Sequence, residues 1–320
     1  MTCYDIFNGD ADGICALQQL RLAEPRDAEL VTGLKRDINL MRQIDPSAGD
    51  RLVVLDVSFD KNRQDVRRAL DAGASIFYVD HHYAGDLIES ERLETHIHTD
   101  ADTCTSLIVN ALLNDAHPRW ALAGIYGDNL YRTAETLADR LGIPVRERER
   151  LKELGTCLNY NGYGFALEDL VFHPRDLYLS LRPFEDPLEF METGNYRKLH
   201  QAYLEDLEAS RHVREDEANE AAALYILPDE PWARRVNGVF SNALARAHPD
   251  RAHAVLVPCG EDCYRVSVRA PLNRKTGADA LCRQFETGGG RAAAAGINRL
   301  PRHDLDRFRN SLTKAFKQSR

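Results

Sequence analysis

Two continuous apolar segments constrain the fold of this chain more than any other feature. Residues 51–56 read Arg-Leu-Val-Val-Leu-Asp and residues 75–80 read Ser-Ile-Phe-Tyr-Val-Asp, with a helical pattern over 62–72 between them. Strands without alternation of apolar and polar residues are buried on both faces, as in parallel sheets covered by helices. The sequence therefore predicts an α/β fold whose N-terminal domain is built on a parallel sheet.

The chain has 320 residues, more than one core usually holds, and its composition changes twice along its length. We predict a parallel-sheet domain over 1–132, a helical connector over 133–227 and a smaller α/β domain over 228–320. Within the connector, the Asn-Tyr-Asn-Gly-Tyr-Gly stretch over 159–164 is predicted to be a loop. Residues 235–240 are predicted to be a strand of the last domain.

Charge and cysteine content exclude several classes of protein. A formal net charge of −9 argues against broad electrostatic binding of long nucleic acid, although bound divalent cations would still attract an anionic substrate. No apolar run reaches the roughly 20 residues that span a bilayer, and the N-terminus lacks a signal-peptide pattern. We therefore expect no membrane contact and a cytoplasmic location.

Seven cysteines argue against a disulfide framework, and the closest pair, Cys259 and Cys263, is expected to be buried thiols.

Aspartates recur at the ends of the strand-like segments. Asp10 and Asp12 follow the first segment, Asp56 and Asp80 close the two strongest ones, and Asp128 follows Ala-Gly-Ile-Tyr-Gly. Ligands of open parallel sheets bind beyond the carboxyl ends of the strands, where converging carboxylates repel one another unless a cation neutralises them. Carboxylates joined by the imidazoles that follow Asp80 suit manganese better than magnesium.

Each of these pieces also has an ordinary structural explanation. An Asp-x-Asp-Gly sequence is most often a turn, and an aspartate after a strand often caps a helix. Thr105 and Ser106, at a predicted helix start, are likewise expected to cap that helix rather than bind phosphate. The Asp80-His81-His82 triplet is rarer, and it is the ordered succession of all the motifs that favours a metal site.

Together these motifs resemble those of a known superfamily. Residues 7–14 (Phe-Asn-Gly-Asp-Ala-Asp-Gly-Ile), 54–56 (Val-Leu-Asp), 79–82 (Val-Asp-His-His) and 126–129 (Tyr-Gly-Asp-Asn) are similar to the four ordered motifs of the DHH phosphoesterases. The segment 287–296 (Thr-Gly-Gly-Gly-Arg-Ala-Ala-Ala-Ala-Gly) resembles the glycine-rich signature of the companion DHHA1 substrate-binding domain. This superfamily includes RecJ-type exonucleases, nano-RNases, dinucleotide phosphodiesterases, pyrophosphatases and exopolyphosphatases. A DHHA1 signature is typical of the nucleotide-cleaving members.

The resemblance implies a catalytic centre with two Mn²⁺ ions, for which Mg²⁺ and Co²⁺ are the alternatives. Its implied metal ligands are Asn8, Asp10, Asp12, Asp56, His81 and Asp128. Asp56 would bridge the two ions, and His82 would lie beside the scissile phosphate and donate a hydrogen bond or a proton to it. In the C-terminal domain, the implied substrate-binding residues are Arg269, Gly288, Gly289, Gly290 and Arg291.

Two positions depart from the pattern of the superfamily. Many members have a histidine at the start of the first motif, where this chain has Asn8, a neutral and weaker ligand. The usual glycine run ends in histidine, whereas here it ends in Arg291. An arginine carries a permanent charge and a fork of donors, which favours a substrate with an exposed terminal phosphate.

The predicted function is metal-dependent hydrolysis of short oligonucleotides or linear dinucleotides, such as 5′-phosphorylated dinucleotides, to mononucleotides by hydroxide attack. The expected partner is a short single-stranded substrate and not a long duplex, and the sequence leaves a homodimer open. A nucleotide bisphosphate phosphatase or an exopolyphosphatase would use the same chemistry. A non-catalytic nucleotide-binding sensor, damaged at Asn8, is the alternative from another class.

Overall fold

The computed structural model describes residues 1–317, and the contacts within the chain divide it into two units. The first unit spans Met1–Gln201 and the second begins at Ala202. Both units contain a sheet and helices, so the predicted α/β architecture, with a parallel N-terminal sheet and a helix-rich middle, is confirmed. The domain boundaries placed at 132 and 227 stay predictions.

Five parallel strands form the sheet of the first unit, in the order β2-β1-β3-β4-β5. They are β1 (Cys3–Phe7), β2 (Glu29–Thr32), β3 (Arg51–Leu55), β4 (Ser75–Asp80) and β5 (Leu93–Ile97). Leu52 and Val54 of β3 pack in one core cluster, while Val53 and Leu55 are buried on the opposite face. Burial on both faces is the reason that the segment is continuously apolar.

Nine helices of the first unit follow or cover this sheet. They are α1 (Ala11–Ala23), α2 (Phe59–Asp71), α3 (Thr105–Leu112), α4 (Pro118–Gly127), α5 (Tyr131–Arg140), α6 (Val145–Asn161), α7 (Pro174–Leu181), α8 (Pro187–Phe190) and α9 (Gly194–Arg211), the last of which continues into the second unit. Proline at the first helical position begins α4, α7 and α8, where the missing N–H costs no hydrogen bond. Val66 and Leu70 of α2 pack on the strand residues of the core cluster around Val54.

The second unit contains a six-stranded mixed sheet in the order β10-β11-β9-β8-β7-β6. Its strands are β6 (Glu217–Ala218), β7 (Ala222–Ile226), β8 (Ala252–Pro258), β9 (Cys263–Arg269), β10 (Gly288–Gly290) and β11 (Ala294–Pro301), and its further helices are α10 (Pro231–Ala247), α11 (Ala278–Cys282) and α12 (Leu305–Phe316). Among the described strands of this sheet, β7 and β8 alone pair in parallel. Across residues 1–317, no helix combines the length and apolarity needed to cross a bilayer.

Three local predictions were wrong. Residues 235–240 are not a strand but part of α10, whose buried Ala233, Val236 and Phe240 recur at helical spacing after Pro231. The predicted loop over 159–164 is helical as far as Asn161, because tertiary packing buries Tyr160 fully and so extends α6. Cys259 and Cys263 are joined as a disulfide rather than left as thiols, since the turn between β8 and β9 places their Cα atoms 5.3 Å apart.

A buried histidine makes the stability of the second unit depend on pH. His253 of β8 is fully buried, its Nε2 lies 3.4 Å from the His248 carbonyl oxygen, and its Nδ1 has no hydrogen-bond partner among the described residues. Burial, helped by the charges of Arg251 and His248, lowers the pKa of His253 to about 4. The unfolded chain therefore binds a proton near pH 6.5 that the folded unit does not bind until about pH 4.

Above pH 6.5, we expect neutral His253 to make its full contribution to the unfolding free energy of the second unit. As the pH falls to about 4, we expect the unit to lose roughly 3 kcal/mol of unfolding free energy. Urea unfolding at a series of pH values, with hydrogen exchange of the β8 amides, would measure this loss. The His253→Gln variant should lose most of this pH dependence, whereas substituting the exposed His303 should not change it. The same slope in both variants would contradict the assignment to His253.

Candidate metal centre

The predicted aspartates meet at the carboxyl edge of the first sheet. Asp10 and Asp12 follow β1, Asp56 follows β3 and Asp80 ends β4, and these three strands are parallel neighbours. Asp10 caps α1, because its Oδ1 accepts hydrogen bonds from the backbone N–H groups of Asp12 (3.0 Å) and Gly13 (3.1 Å). All four side chains are at least 98% buried.

Asp12 is oriented by the N-terminus of α3. Its two carboxylate oxygens accept hydrogen bonds from the backbone N–H groups of Thr105 (2.8 Å) and Ser106 (2.7 Å), and the Ser106 hydroxyl donates to the Asp12 carbonyl oxygen (2.8 Å). Each carboxylate oxygen keeps a second lone pair for a cation. The sequence missed this arrangement, and the prediction that Thr105 and Ser106 cap the helix was wrong, because both residues lie inside α3 and Cys104 precedes it as the N-cap without a side-chain hydrogen bond.

Asp56 is held in an unusual backbone conformation. Its φ is +58°, in the left-handed region, which costs a residue with a Cβ about 1–2 kcal/mol. The Asp56 N–H donates to the Val79 carbonyl oxygen (3.0 Å), and its Oδ1 accepts from the Thr105 hydroxyl (3.3 Å). Strain of this kind persists where the surrounding structure fixes it, and it concentrates at functional sites.

The two histidines after β4 have different hydrogen-bond partners. His81 Nδ1 lies 3.0 Å from the Thr103 carbonyl oxygen, so it is the protonated nitrogen, and Nε2 lies 3.4 Å from Asp56 Oδ1. His82 Nδ1 lies 2.7 Å from Oδ1 of Asp80, and that oxygen also accepts the His81 N–H (2.8 Å). His81 therefore presents Nε2 to the carboxylates, and buried Asp80 fixes the ring of His82.

Lys35 is the residue of this centre that the sequence reasoning missed. It follows β2, at the same edge of the sheet as the aspartates. Its ammonium group contacts the Asp10 carboxylate and lies 3.4 Å from Asp128 Oδ1 and 3.0 Å from Asn159 Oδ1. The rule that located the aspartates, a polar residue just beyond the end of a parallel strand, would also have identified Lys35.

Asn8 uses its side chain for backbone hydrogen bonds. Its Oδ1 accepts from the Asp10 N–H (3.3 Å), and its Nδ2 donates to the Lys35 carbonyl oxygen (3.1 Å). The side chain is 97% buried. Its predicted role as a ligand of a metal ion stays untested, but both ends of the amide already have partners.

Burial, together with repulsion between neighbouring carboxylates, raises the pKa of two aspartates of the cluster. Burial, with the charges of Asp12 and Asp10, raises the pKa of Asp56 well above its usual range. Burial also raises the pKa of Asp128, against the effect of Lys35. Burial opposes protonation of His81, but the Asp56 carboxylate outweighs it and raises the pKa of His81 to about 10. Without a further cation, the cluster therefore retains protons at neutral pH.

The donor set fits a divalent cation. Ligand atoms of Asp56, His81 and His82 all lie within 4.8 Å of one another. Buried carboxylates, next to an imidazole with a directed Nε2, are ligands from which a cation such as Mn²⁺ displaces any bound protons when it binds. Asp80 already takes Nδ1 of His82, and the ligand roles predicted for Asp12, Asp56, His81 and Asp128 stay predictions.

Cys104 has no catalytic environment. It is fully buried before α3, and burial, with the nearby Asp12 carboxylate, raises the pKa of its thiol well above the usual value. A thiolate nucleophile is therefore disfavoured.

The predicted substrate-binding residues lie in the second unit. Arg269 Nε donates to Asn242 Oδ1 (2.7 Å), and Arg291 is exposed in the turn between β10 and β11, where its N–H donates to the Ala294 carbonyl oxygen (2.9 Å). A Cβ at Gly288 would lie 1.7 Å from the Cys282 carbonyl oxygen, and one at Gly290 would lie 2.5 Å from Ala295 Cα.

Packing within the second unit therefore requires two of the three glycines. At Gly289, a Cβ would meet no heavy atom of the described chain within 4 Å. Gly289 and the exposed Arg291 are thus the positions of the run with room for a ligand. Phosphate binding by Arg269, by Arg291 and by the glycine run stays a prediction.

Comparisons with known proteins connect this geometry to a fold. No family model and no curated protein matches the sequence. Among solved structures, the exonuclease RecJ bound to manganese aligns with a TM-score of 0.63 and 15% identity, over 99% of this chain and 91% of that one. The pGpG-specific phosphodiesterase PggH from Vibrio cholerae aligns with a TM-score of 0.57 and 13% identity, over 98% of this chain and 99% of that one.

A third structure, described as the DHH domain of a member of a family of ribosomal proteins, aligns with a TM-score of 0.62 and 14% identity, over all of this chain and 87% of that one. The fold and the carboxylate–histidine cluster together define the class: a two-unit α/β protein with a candidate metal centre at the edge of its parallel sheet. The chain has the fold of the DHH-domain proteins, and the resemblance predicted from its motifs is confirmed at the level of the fold.

Proposed function

We propose that this chain is a metal-dependent phosphodiesterase that hydrolyses short oligonucleotides or linear dinucleotides to mononucleotides. The observation that carries the proposal is the cluster of Asp12, Asp56 and His81 at one edge of the sheet, with His82 fixed beside it by buried Asp80. The cluster supplies ligands for a cation, and His82 supplies a donor for a phosphate oxygen.

Residues of the first unit have different roles in the proposed hydrolysis. Asp12, Asp56, His81 and Asp128 would hold a divalent cation, for which Mn²⁺ is our first choice. When bound, such a cation polarises a phosphate oxygen and acidifies the attacking water. His82 donates Nδ1–H to Asp80, so its Nε2 faces away from that carboxylate and, when protonated, donates a hydrogen bond or a proton to the departing oxygen.

Two proteins with a similar fold support a nucleotide substrate. One is an exonuclease bound to manganese, and another is a phosphodiesterase specific for pGpG. PggH matches along nearly its whole length, so the similarity in fold covers both units of this chain. The exposed Arg291 adds a permanent positive charge suited to a terminal phosphate.

A panel of four substrates tests this proposal in the presence of Mn²⁺. It contains a 5′-phosphorylated dinucleotide, a five-nucleotide RNA, a nucleotide bisphosphate and polyphosphate. We expect rapid cleavage of the dinucleotide and slower, stepwise release of mononucleotides from the RNA. Turnover of only the bisphosphate or polyphosphate would keep the metal centre and refute the substrate, whereas no turnover with any of the four would favour a binding protein.

Arg291 should contribute to substrate binding rather than to chemistry. The Arg291→Ala variant is expected to raise KM for the 5′-phosphorylated dinucleotide roughly ten- to a hundredfold, the effect of losing a hydrogen bond between charged groups, with kcat nearly unchanged. Steady-state kinetics on the same dinucleotide with and without its 5′-phosphate would measure this. The exposed Arg283, which pairs with Asp279, offers a matched control, since Arg283→Ala should leave KM unchanged. An equal rise in KM for both substrates would contradict the terminal-phosphate role.

A further inference from the structure

We propose that the ammonium group of Lys35 is the resident cation at the Asp10 end of the centre, so that the chain binds a single divalent ion and not two. This inference rests on the proposed function for the existence of a metal site. The sequence motifs imply two metal ions, whereas in this proposal the ammonium group of Lys35 neutralises Asp10 in place of one of them.

The backbone around Lys35 is fixed on both sides. The Lys35 N–H donates to the Gly162 carbonyl oxygen (3.0 Å), and the Lys35 carbonyl oxygen accepts from Asn8 Nδ2 (3.1 Å). Just before it, the Leu34 N–H donates to Asp37 Oδ2 (2.9 Å) and closes a turn. Lys35 therefore leaves β2 at a defined position, and its side chain starts from an anchored backbone.

The ammonium group has an oxygen acceptor for each of its three donors. These acceptors are the carboxylates of Asp10 and Asp128 and the amide oxygen of Asn159. The three acceptors come from the end of β1, the end of α4 and the last turn of α6. A cation surrounded by oxygens of three separate elements has the surroundings of a bound metal ion, with hydrogen bonds in place of coordinate bonds.

The ligands that a first metal ion would need are already engaged. Asp10 is 98% buried and contacts the ammonium group, while its other oxygen caps α1. The oxygen of Asn8 accepts a backbone N–H of the same loop. A divalent ion at Asp10 would have to displace Lys35 and would also be repelled by it, since two cations in a partly buried site interact strongly.

The other half of the centre remains suited to a metal ion. Among the described residues, no hydrogen bond or ion pair joins the Lys35 ammonium group to Asp12, Asp56 or His81. His81 Nε2 lies 3.4 Å from Asp56 Oδ1 and 4.0 Å from Asp12 Oδ2. Asp128 lies between the two halves and would face both the ammonium group and the ion. The structure therefore separates a position for lysine from a position for a divalent ion.

Counting bound Mn²⁺ tests this inference without any activity measurement. Titration calorimetry and elemental analysis of the full chain should give about one Mn²⁺ per chain, with the electron paramagnetic resonance spectrum of an isolated ion. The Lys35→Met variant, which keeps the length of the side chain and removes its charge, should bind about two, and the spectrum should become that of a coupled pair. The Lys35→Arg variant should retain about one.

A control variant and three contradicting results complete the test of Lys35. Lys61→Met removes an exposed ammonium group on α2 and should leave the count at one. Two coupled ions in the unmodified chain would overturn the role of Lys35 while leaving the proposed function intact. A count that stays at one in folded Lys35→Met protein would also overturn it. No bound ion in the unmodified chain would overturn the metal centre itself, and the proposed function with it.

Discussion

Replacing Asp56 with asparagine is expected to abolish hydrolysis and to weaken Mn²⁺ binding more than any other single change in the centre. Asp56 is buried between Thr105 and His81, and it lies in the left-handed region that the surrounding backbone imposes. Asparagine tolerates that backbone conformation and fills the same volume, so the fold should survive. The variant lacks the negative charge with which the Asp56 carboxylate would attract a divalent cation.

The expected loss in Mn²⁺ affinity exceeds about a hundredfold, the upper range for residues that only support a ligand. Titration calorimetry gives the affinity, and product analysis on the 5′-phosphorylated dinucleotide gives the rate. The exposed Asp86 provides the control, because Asp86→Asn removes the same charge from the loop after β4 and should change neither quantity. Rates near those of the unmodified chain in Asp56→Asn would show that Asp56 is not a ligand.

The second large effect is expected at His82, where chemistry and metal binding should separate. The His82→Gln variant is expected to lower kcat by about a hundredfold or more, the usual contribution of a positioned proton donor, while Mn²⁺ content stays close to that of the unmodified chain. The physical reason is that Asp80 already takes Nδ1 of His82 at 2.7 Å, whereas His81 presents its Nε2 to the carboxylates.

A substrate with a better leaving group identifies what His82 does. If His82 protonates the departing oxygen, a nitrophenyl phosphodiester, which needs no proton, should lose much less rate in His82→Gln than the dinucleotide loses. The exposed His98, just after β5, is the matched control, and His98→Gln should behave as the unmodified chain. A parallel fall in Mn²⁺ content and rate in His82→Gln would instead make His82 a metal ligand.

A lysine in place of one metal ion would explain two features of this chain together. Asn8 replaces the histidine typical of the superfamily, and Lys35 occupies the neighbouring carboxylate. The two features are compatible, because a carboxylate that is already neutralised by a lysine does not need a strong metal ligand beside it. A single-ion centre would depend more on His82 and on the ammonium group to stabilise charge on the phosphate.

The sequence alone determined the parallel sheet of the first unit and the order of the motifs proposed to bind metal. Continuous apolar runs such as 51–56 reveal burial on both faces, and this information is local. Parallel strands place their carboxyl ends at one edge, so Asp12 and Asp56 could be expected near each other without knowledge of any contact. The fold of the DHH-domain proteins was implied by the resemblance of those motifs to the DHH phosphoesterases.

Only the tertiary structure decided how the centre is neutralised and oriented. Lys35 reaches Asn159 across 124 residues of sequence, and Asp12 reaches Ser106 across 94, and no periodicity records such distant contacts. The extension of α6 that places Asn159 depends on packing around Tyr160, which outweighs the turn-forming glycines nearby. The local sequence pattern predicts which residues follow each strand, but the positions of their partners depend on long-range packing. Here that packing places the ammonium group of Lys35 against Asp10.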